Sequence, residues 1–184
     1  MDGWGNLENS HVAITIHDAF EGANSWNNFG SGMWNLLLDT HHYEIFDSGS
    51  LEMGIGSHLS TACAFGASMA TNNKWTIAGE WTGAMTDCAQ WLNGRGIGAR
   101  YDGTYPGSSY IGSCDGKYQG TVAGLGLADH NNIKSFISAQ ISAFEKAAGW
   151  IFWTWKNEVA PEWHFQNLTR AGLIPQPFSS ATGC

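Results

Sequence analysis

Polar residues that could do chemistry follow four apolar runs of the sequence. The run "VAITI" leads into "HDAF", "WNLLLD" into "THHY", "WTIA" into "GE", and "WIF" into "WTWK". The side chains collected in this way are His17, Asp18, His41, His42, Tyr43, Glu80 and Trp153 to Trp155. An acid flanked by tryptophans, with histidine and tyrosine donors, suits attack on a sugar carbon through an oxocarbenium-like transition state. Glu80 is the candidate nucleophile.

Metal binding is a competing chemistry for the same residues. His41, His42 and Glu44 are all metal-ligand types. Adjacent residues on a strand point to opposite faces, so the two imidazoles could not easily bind one ion. The sequence also has no G-x-S-x-G elbow and no Gly-rich phosphate loop that opens a helix. We therefore expect neither a metal nor a cofactor.

The elements that would position these residues alternate between strands and helices or loops. We predict buried strands at 12–16, 34–39, 75–78 and 150–155, and helices at 58–70, 84–92, from Asn131 and at 163–170. The helix from Asn131, of about four to five turns, carries apolar residues at helical spacing, namely Ile133, Phe136, Ile137, Ile141 and Phe144. Residues 93–128 are rich in Gly and Tyr, which predicts a long loop. This order predicts an α/β fold with parallel strands, whose functional residues gather at the strand C-termini.

The composition predicts one globular domain with a neutral partner. The chain has 184 residues, of which 43% are hydrophobic, and acids outnumber bases 16 to 8 without any basic run. The charge balance therefore argues against nucleic-acid binding. Ten tryptophans favour stacking on the flat faces of sugars, although many of them are expected to fill the core. No stretch approaches the roughly 20 apolar residues of a membrane span.

The four cysteines favour an oxidising compartment. Cys63, Cys88, Cys114 and Cys184 are too far apart for a C-x-x-C motif, so two disulfides are the better expectation. One glycosylation sequon, "NLT", begins at Asn167. The opening "MDGWGNLENS" has neither the basic start nor the apolar run of a signal peptide. We therefore expect a secreted protein whose true N-terminus is absent from this chain.

Eight motifs occur in the order found in one known enzyme family. They are "HDAF", "DTHHYEIF", "WTIAGEW", "TDCAQWLNG", "GARYDG", "YIGSC", "WIFWTWK" and "APEWHFQNL". With these motifs, nearly the whole chain resembles the C-terminal half of fungal exo-β-1,3-glucanases of glycoside hydrolase family 5. The resemblance implies a secreted, retaining enzyme, extracellular or in the cell wall, that removes glucose from β-glucan ends. Residues 1–184 would then be strands five to eight of a (β/α)8 TIM barrel.

The resemblance also assigns roles to individual residues. Glu80 matches the nucleophile at the end of strand seven, and His41 and Tyr43 match a pair that contacts the sugar beside the scissile bond. Phe46 matches an aromatic clamp on the leaving-group side. Trp153 matches the stacking tryptophan of strand eight, for which Trp155 is an alternative. The remaining residues implied by the resemblance are Asp18 and Asn93 as substrate contacts, and the disulfides Cys63 to Cys184 and Cys88 to Cys114.

Two departures from the family pattern stand out. Where the family has an arginine just before "GARY", this chain has "GIG", with Arg95 before it. A retaining glycosidase also needs a second carboxyl about 5 to 5.5 Å from the nucleophile. The family carries that carboxyl on an Asn-Glu-Pro after strand four, which we expect upstream of residue 1. Glu158, in "NEV", follows strand eight and is a poor substitute.

Two further readings stay open. The chain could be a non-catalytic β-glucan-binding remnant that uses Trp153, Tyr43 and Phe46 as a sugar platform. It could also be a half-barrel that assembles with another copy or with a separate upstream chain. An open half-barrel leaves two strand edges unpaired and one apolar layer uncovered. We therefore expect self-association through these edges.

Overall fold

A small parallel sheet organises the part of the chain that is described. The computed structural model describes residues 12–33 and 35–184. Its strands are β1 (Ile14–His17), β2 (Leu36–His42) and β3 (Trp75–Trp81), which pair in parallel in the order β1-β2-β3. The α-helices are α1 (Ser48–Leu51), α2 (Ile55–Thr71), α3 (Leu127–Phe144) and α4 (Phe165–Arg170). Short 3-10 turns lie at Ala23–Trp26, Val122–Gly124, Pro161–Trp163 and Phe178–Ser180.

The first three predicted strands form, but with later ends. Strand β1 continues to His17 and β2 to His42, so these histidines lie within strands. Position 34, the predicted start of the second strand, lies outside the described residues. Strand β2 alternates between buried and half-buried residues, whereas β1 is half-buried to exposed throughout. The prediction that β1 is buried was therefore wrong, because among the described residues β1 pairs only with β2 and lies at the edge of the sheet.

The predicted fourth strand at 150–155 does not form as a strand. The segment follows β3 with hydrogen bonds from Ile151 N to Ala78 O and from Trp153 N to Trp81 O, each 2.8 Å. Only Trp150 takes part in a bridge, with Ala78. The two donors are two positions apart, whereas their acceptors in β3 are three positions apart, so the pairing with β3 is irregular. The segment is also not buried as predicted: Phe152 lies in the core, but Ile151, Trp153 and Trp155 are exposed.

The two long helices are confirmed. Helix α2 covers the predicted 58–70 and extends beyond both ends. Helix α3 begins at Leu127, after Gly126, four residues before the predicted start. Its predicted apolar positions, Ile133, Phe136, Ile137, Ile141 and Phe144, are all buried. The tail helix at 163–170 divides into a 3-10 turn and α4.

The helix predicted at 84–92 is wrong, since this segment consists of bends and turns. The Asp87 carboxylate explains the difference. It accepts hydrogen bonds from the backbone N–H groups of Arg100 at 2.8 Å and Tyr101 at 3.0 Å, which fasten the segment to the loop that follows it. Trp91 has φ 66°, in the left-handed region that no helix residue adopts. Tertiary contacts therefore override the helix-forming composition.

Helices α2 and α3 cover one face of the sheet. The core contains Leu38, Ala78 and Trp81 from the strands, with Phe144 of α3 packed edge-on against Trp81 at a ring distance of 5.6 Å. The opposite face carries residues that alternate with these, and they are half-buried or exposed: Leu37, Asp39, His41, Trp75, Ile77 and Glu80. Within residues 12–33 and 35–184 no helix covers this face, which carries the predicted site residues His41 and Glu80.

Two disulfides fasten the periphery. Cys63 on α2 is bonded to Cys184 at the C-terminus, and Cys88 is bonded to Cys114 across the long loop. These are the pairings that the resemblance implies. Between residues 93 and 126 the structure has no α-helix and no strand beyond a bridge of Asp102 with Tyr110. Among the described residues, no helix is long and apolar enough to cross a membrane.

Candidate active site

A register shift brings the first two site residues together. Strands β2 and β3 pair regularly up to Thr40 opposite Ala78, and an irregularity then places His41 opposite Glu80. Both side chains emerge near the carboxyl ends of their strands. Side chains at the ends of neighbouring parallel strands meet at one edge of a sheet, which is the usual place for a site in α/β proteins.

Two donors converge on one oxygen of Glu80. The Tyr43 hydroxyl donates a hydrogen bond of 2.8 Å to Oε2, and His41 Nδ1 lies 3.4 Å from the same oxygen. Within the described part of the chain no contact engages Oε1. The side chain of Glu80 is 27% exposed. One oxygen is therefore held in place, while the other has no hydrogen-bond or ion-pair partner among the described residues.

Tyr43 is held as a neutral donor. Burial raises the pKa of its phenol well above the usual value, and the hydrogen bond to Glu80 and the charge of that carboxylate raise the pKa further. Its ring stacks on Trp163 at 5.7 Å and meets Phe46 edge-on at 5.5 Å. Sequence reasoning did not include Trp163, which lies more than 100 positions away.

Asp39 is a site residue that the sequence did not single out. His41 Nε2 lies 3.5 Å from Asp39 Oδ2, so the imidazole stands between two carboxylates. Asp39 Oδ1 is buried and has no hydrogen-bond partner in the described part of the chain. A Cβ at Gly79 would overlap this carboxylate. The glycine before Glu80 therefore makes room for the Asp39 side chain.

The aromatic residues assigned to substrate are accessible. Phe46 is 45% exposed and contacts Tyr43, which places it beside the Glu80 group. Trp153 is 48% exposed, and its backbone N–H is bonded to Trp81 at the end of β3. Exposed rings at the end of a sheet are suited to stacking on a sugar. Their roles in binding stay predictions.

Asp18 and Asn93 have other partners. The Asp18 side chain is almost completely buried and accepts hydrogen bonds from Thr40 Oγ1 at 2.6 Å and from Phe20 N at 3.0 Å. Asn93 donates to Asp87 Oδ2 at 2.9 Å and accepts from Arg100 at 2.7 Å. These contacts join neighbouring elements, and the structure does not bring either residue into contact with Glu80. Their role as substrate contacts stays a prediction.

His41 and His42 lie on opposite faces, as strand geometry predicts. His42 Nε2 is 2.7 Å from Glu44 Oε1, and His58 Nδ1 on α2 is 2.7 Å from Glu44 Oε2. Burial alone would raise the pKa of Glu44, but the hydrogen bonds and charges of the two histidines lower it below its usual value. This buried triad fastens β2 to α2. No group of three metal-ligating side chains that could hold an ion occurs in residues 12–33 and 35–184.

The fold and the site together define an α/β protein with a carboxylate site at the ends of parallel strands. The chain is 55% identical over 185 residues to the glucan 1,3-beta-glucosidase of Blumeria graminis, covering 97% of this chain and 43% of that protein. It is 44% identical over 188 residues to the glucan 1,3-beta-glucosidase of Candida oleophila, covering 97% of this chain and 44% of that protein. A probable glucan 1,3-beta-glucosidase A of Emericella nidulans is 45% identical over 169 residues, 91% of this chain and 42% of that protein.

The relationship predicted from the eight motifs is confirmed. The chain is homologous to part of the fungal proteins named glucan 1,3-beta-glucosidase. It spans a little over two fifths of the length of these curated relatives. No family model matches the chain.

Proposed function

We propose that this chain is part of a retaining glycoside hydrolase of the exo-β-1,3-glucanase type, which releases glucose from β-glucan ends. The observation that carries the proposal is the Glu80 carboxylate, with one oxygen held by Tyr43 at 2.8 Å. The names of the relatives supply the substrate class. Glu80 is the nucleophile in this proposal, while His41 and Tyr43 contact both the carboxylate and the sugar.

In the proposed reaction Glu80 Oε1 attacks the anomeric carbon. The bond from that carbon to the leaving oxygen breaks as the second carboxyl gives its proton to that oxygen, and a glucosyl ester of Glu80 forms. Water then attacks the same carbon, its proton passes to the second carboxyl, and glucose and the free Glu80 carboxylate are released. Tyr43 and His41 orient Oε2 during both steps. Phe46 and Trp153 supply apolar faces for the sugar, and Asp18 and Asn93 complete the proposed set of contacts.

We propose the same larger architecture that the resemblance implies. Residues 1–184 are a partial catalytic domain, half of a (β/α)8 barrel, with 93–128 as its long loop region. The parallel sheet with helices on one face is compatible with this arrangement. The second carboxyl comes from the part of the relatives' length that this chain does not span. The two disulfides support a secreted protein, extracellular or in the cell wall.

The test is glucosylation of the chain by an aryl β-glucoside with an activated leaving group. Such a substrate needs little acid assistance in the first step, so it probes Glu80 without the second carboxyl. We expect release of the aryl alcohol and a mass increase of one glucosyl unit on the protein. Both should disappear in Glu80→Gln.

Glu158→Gln is the matched control, since Glu158 is an exposed glutamate after the segment beside β3. It should leave the first step unchanged. Equal behaviour of the native chain and Glu80→Gln would contradict the proposed nucleophile. Retention of glucan binding in both proteins without any glucosylation would instead support a non-catalytic binding remnant.

A further inference from the structure

An open cavity lies on the long loop region, apart from the group around Glu80. It has a volume of about 520 Å³. Its walls include two aromatic side chains, Trp91 and Tyr118, which are 53% and 37% exposed. The other lining residues are Gly96, Ile97, Gly98, Asp102 and Thr104. This combination of exposed rings and a few polar groups is typical of a ligand site.

The exposed Trp91 has an unfavourable backbone conformation. Trp91 has φ 66°, a region that bulky residues rarely adopt, and its carbonyl accepts a hydrogen bond of 3.0 Å from Gly94 N in the following turn. Among the described residues, no other aromatic ring packs against Trp91. Strained residues of this kind are concentrated at binding sites, where the surrounding structure holds them.

The surrounding structure does hold this loop. Asp87 is buried, and its carboxylate binds Asn93, which follows Trp91, as well as the backbone of Arg100 and Tyr101. On the N-terminal side of Trp91, Cys88 is bonded to Cys114 by a disulfide. The exposed ring is therefore mounted on a cross-linked loop, so that little ordering is needed when a ligand binds.

The polar group of the cavity suits a neutral, hydroxyl-rich ligand. Asp102 Oδ1 accepts hydrogen bonds from the backbone and the hydroxyl of Thr104. Within the described part of the chain no contact engages Oδ2, which can accept from ligand hydroxyls. Aromatic rings match the apolar faces of pyranose sugars, and an ionised carboxylate forms strong hydrogen bonds with hydroxyl groups.

We propose that the Trp91 cavity is a second carbohydrate-binding site, which takes a β-linked glucose segment of a glucan chain. The ring of Trp91 stacks on one sugar, Tyr118 bounds the site, and Asp102 Oδ2 accepts hydroxyl hydrogen bonds. The choice of a glucan as ligand rests on the proposed function. A second site of this kind would hold a polymer on the molecule between reactions at Glu80.

The test is an NMR titration of the chain with a β-1,3-linked glucose pentasaccharide, in a Glu80→Gln background that prevents turnover. We expect a saturable shift of the Trp91 indole N–H signal and of the Thr104 amide. Trp91→Gly removes the ring and suits the left-handed backbone, so the variant should remain folded. It should weaken binding at the Thr104 amide at least tenfold.

Two further variants make the result decisive. Tyr118→Ala should also weaken this binding, while Trp75→Ala, which removes an exposed tryptophan at the start of β3, should not. No shift at Trp91 and Thr104, or equal affinity in Trp91→Gly, would overturn the proposal. Sugar binding at Trp91 without glucosylation of Glu80 would leave this site standing and reject the proposed catalysis. Glucosylation without a shift at Trp91 would do the reverse.

Discussion

At the scale of single residues, the two oxygens of Glu80 have different environments. Oε2 accepts a hydrogen bond from the Tyr43 hydroxyl and faces the His41 ring, whereas Oε1 has no hydrogen-bond or ion-pair partner among the described residues. A carboxylate that attacks carbon needs one free oxygen and a fixed orientation, and this arrangement supplies both. Tyr43 can fill its role because burial and the adjacent negative charge keep its phenol protonated.

The variant Tyr43→Phe tests whether the hydrogen bond to Glu80 Oε2 contributes to the reaction. Loss of a hydrogen bond to a charged group costs about 1.5–3 kcal/mol, which corresponds to roughly a tenfold to hundredfold slower glucosylation of Glu80. The rate of aryl alcohol release measures the effect. Tyr110→Phe, which changes an exposed tyrosine on the long loop, is the control and should react at the native rate. An unchanged rate in Tyr43→Phe would argue against a role for this hydroxyl.

At the scale of elements, strands β2 and β3 must approach closely where the site forms. A side chain at Gly79 would occupy the space of the Asp39 carboxylate on the neighbouring strand. Gly79→Ala should therefore lower the free energy of unfolding by about 1–3 kcal/mol, as overpacking usually does. Urea denaturation measures the change.

Gly56→Ala provides the matched comparison for Gly79→Ala. Gly56 lies in α2, and a Cβ there would meet nothing within 4 Å. Since alanine is the better helix former, this variant should be neutral or up to about 1 kcal/mol more stable. Equal effects of the two substitutions would contradict the steric argument for Gly79.

The buried triad of Glu44 with His42 and His58 joins β2 to α2 and makes stability depend on pH. The folded-state pKa of Glu44 is lowered from 4.5, so its stabilising contribution is present above that pH and is lost as the pH falls through the lowered value. Glu44→Gln should be about 1–3 kcal/mol less stable at neutral pH and should show a shallower loss of stability in acid.

Thermal unfolding between pH 3 and pH 7 measures this dependence. Glu52→Gln is the control, because Glu52 is an exposed glutamate at the end of α1. It should retain both the neutral-pH stability and the acid slope of the native chain. An unchanged acid slope in Glu44→Gln would mean that the triad does not titrate on unfolding in this range.

At the scale of the whole molecule, the sheet has helices on one face and functional groups on the other. Parallel sheets are normally covered on both faces, and β1 is an unpaired edge in the described structure. We therefore predict that the chain self-associates at micromolar concentration. Sedimentation velocity measures the distribution of species.

Trp75→Lys places a charge on the uncovered face, where Trp75 is 64% exposed. This variant should shift the distribution towards the monomer if the face mediates association. A single monomer peak for the native chain, together with cooperative melting, would contradict the prediction.

Short-range patterns in the sequence were sufficient to predict the local features of this protein. Helical spacing located α3, helix-forming composition located α2, and the apolar runs located the three strands. The order of the motifs identified the relatives. Opposite faces for His41 and His42 followed from the geometry of a strand. These predictions succeeded because neighbouring residues along one element largely decide them.

The contacts between separate segments became apparent only in the three-dimensional fold. The Asp87 network replaced the helix predicted at 84–92, and the discontinuous pairing with β3 replaced the fourth strand. The unpartnered Asp39 oxygen, the stacking of Trp163 on Tyr43 and the exposure of Trp91 also had no sequence signal. Such features depend on how separate segments pack in three dimensions, and the energies of that packing outweigh the small propensities of a local segment.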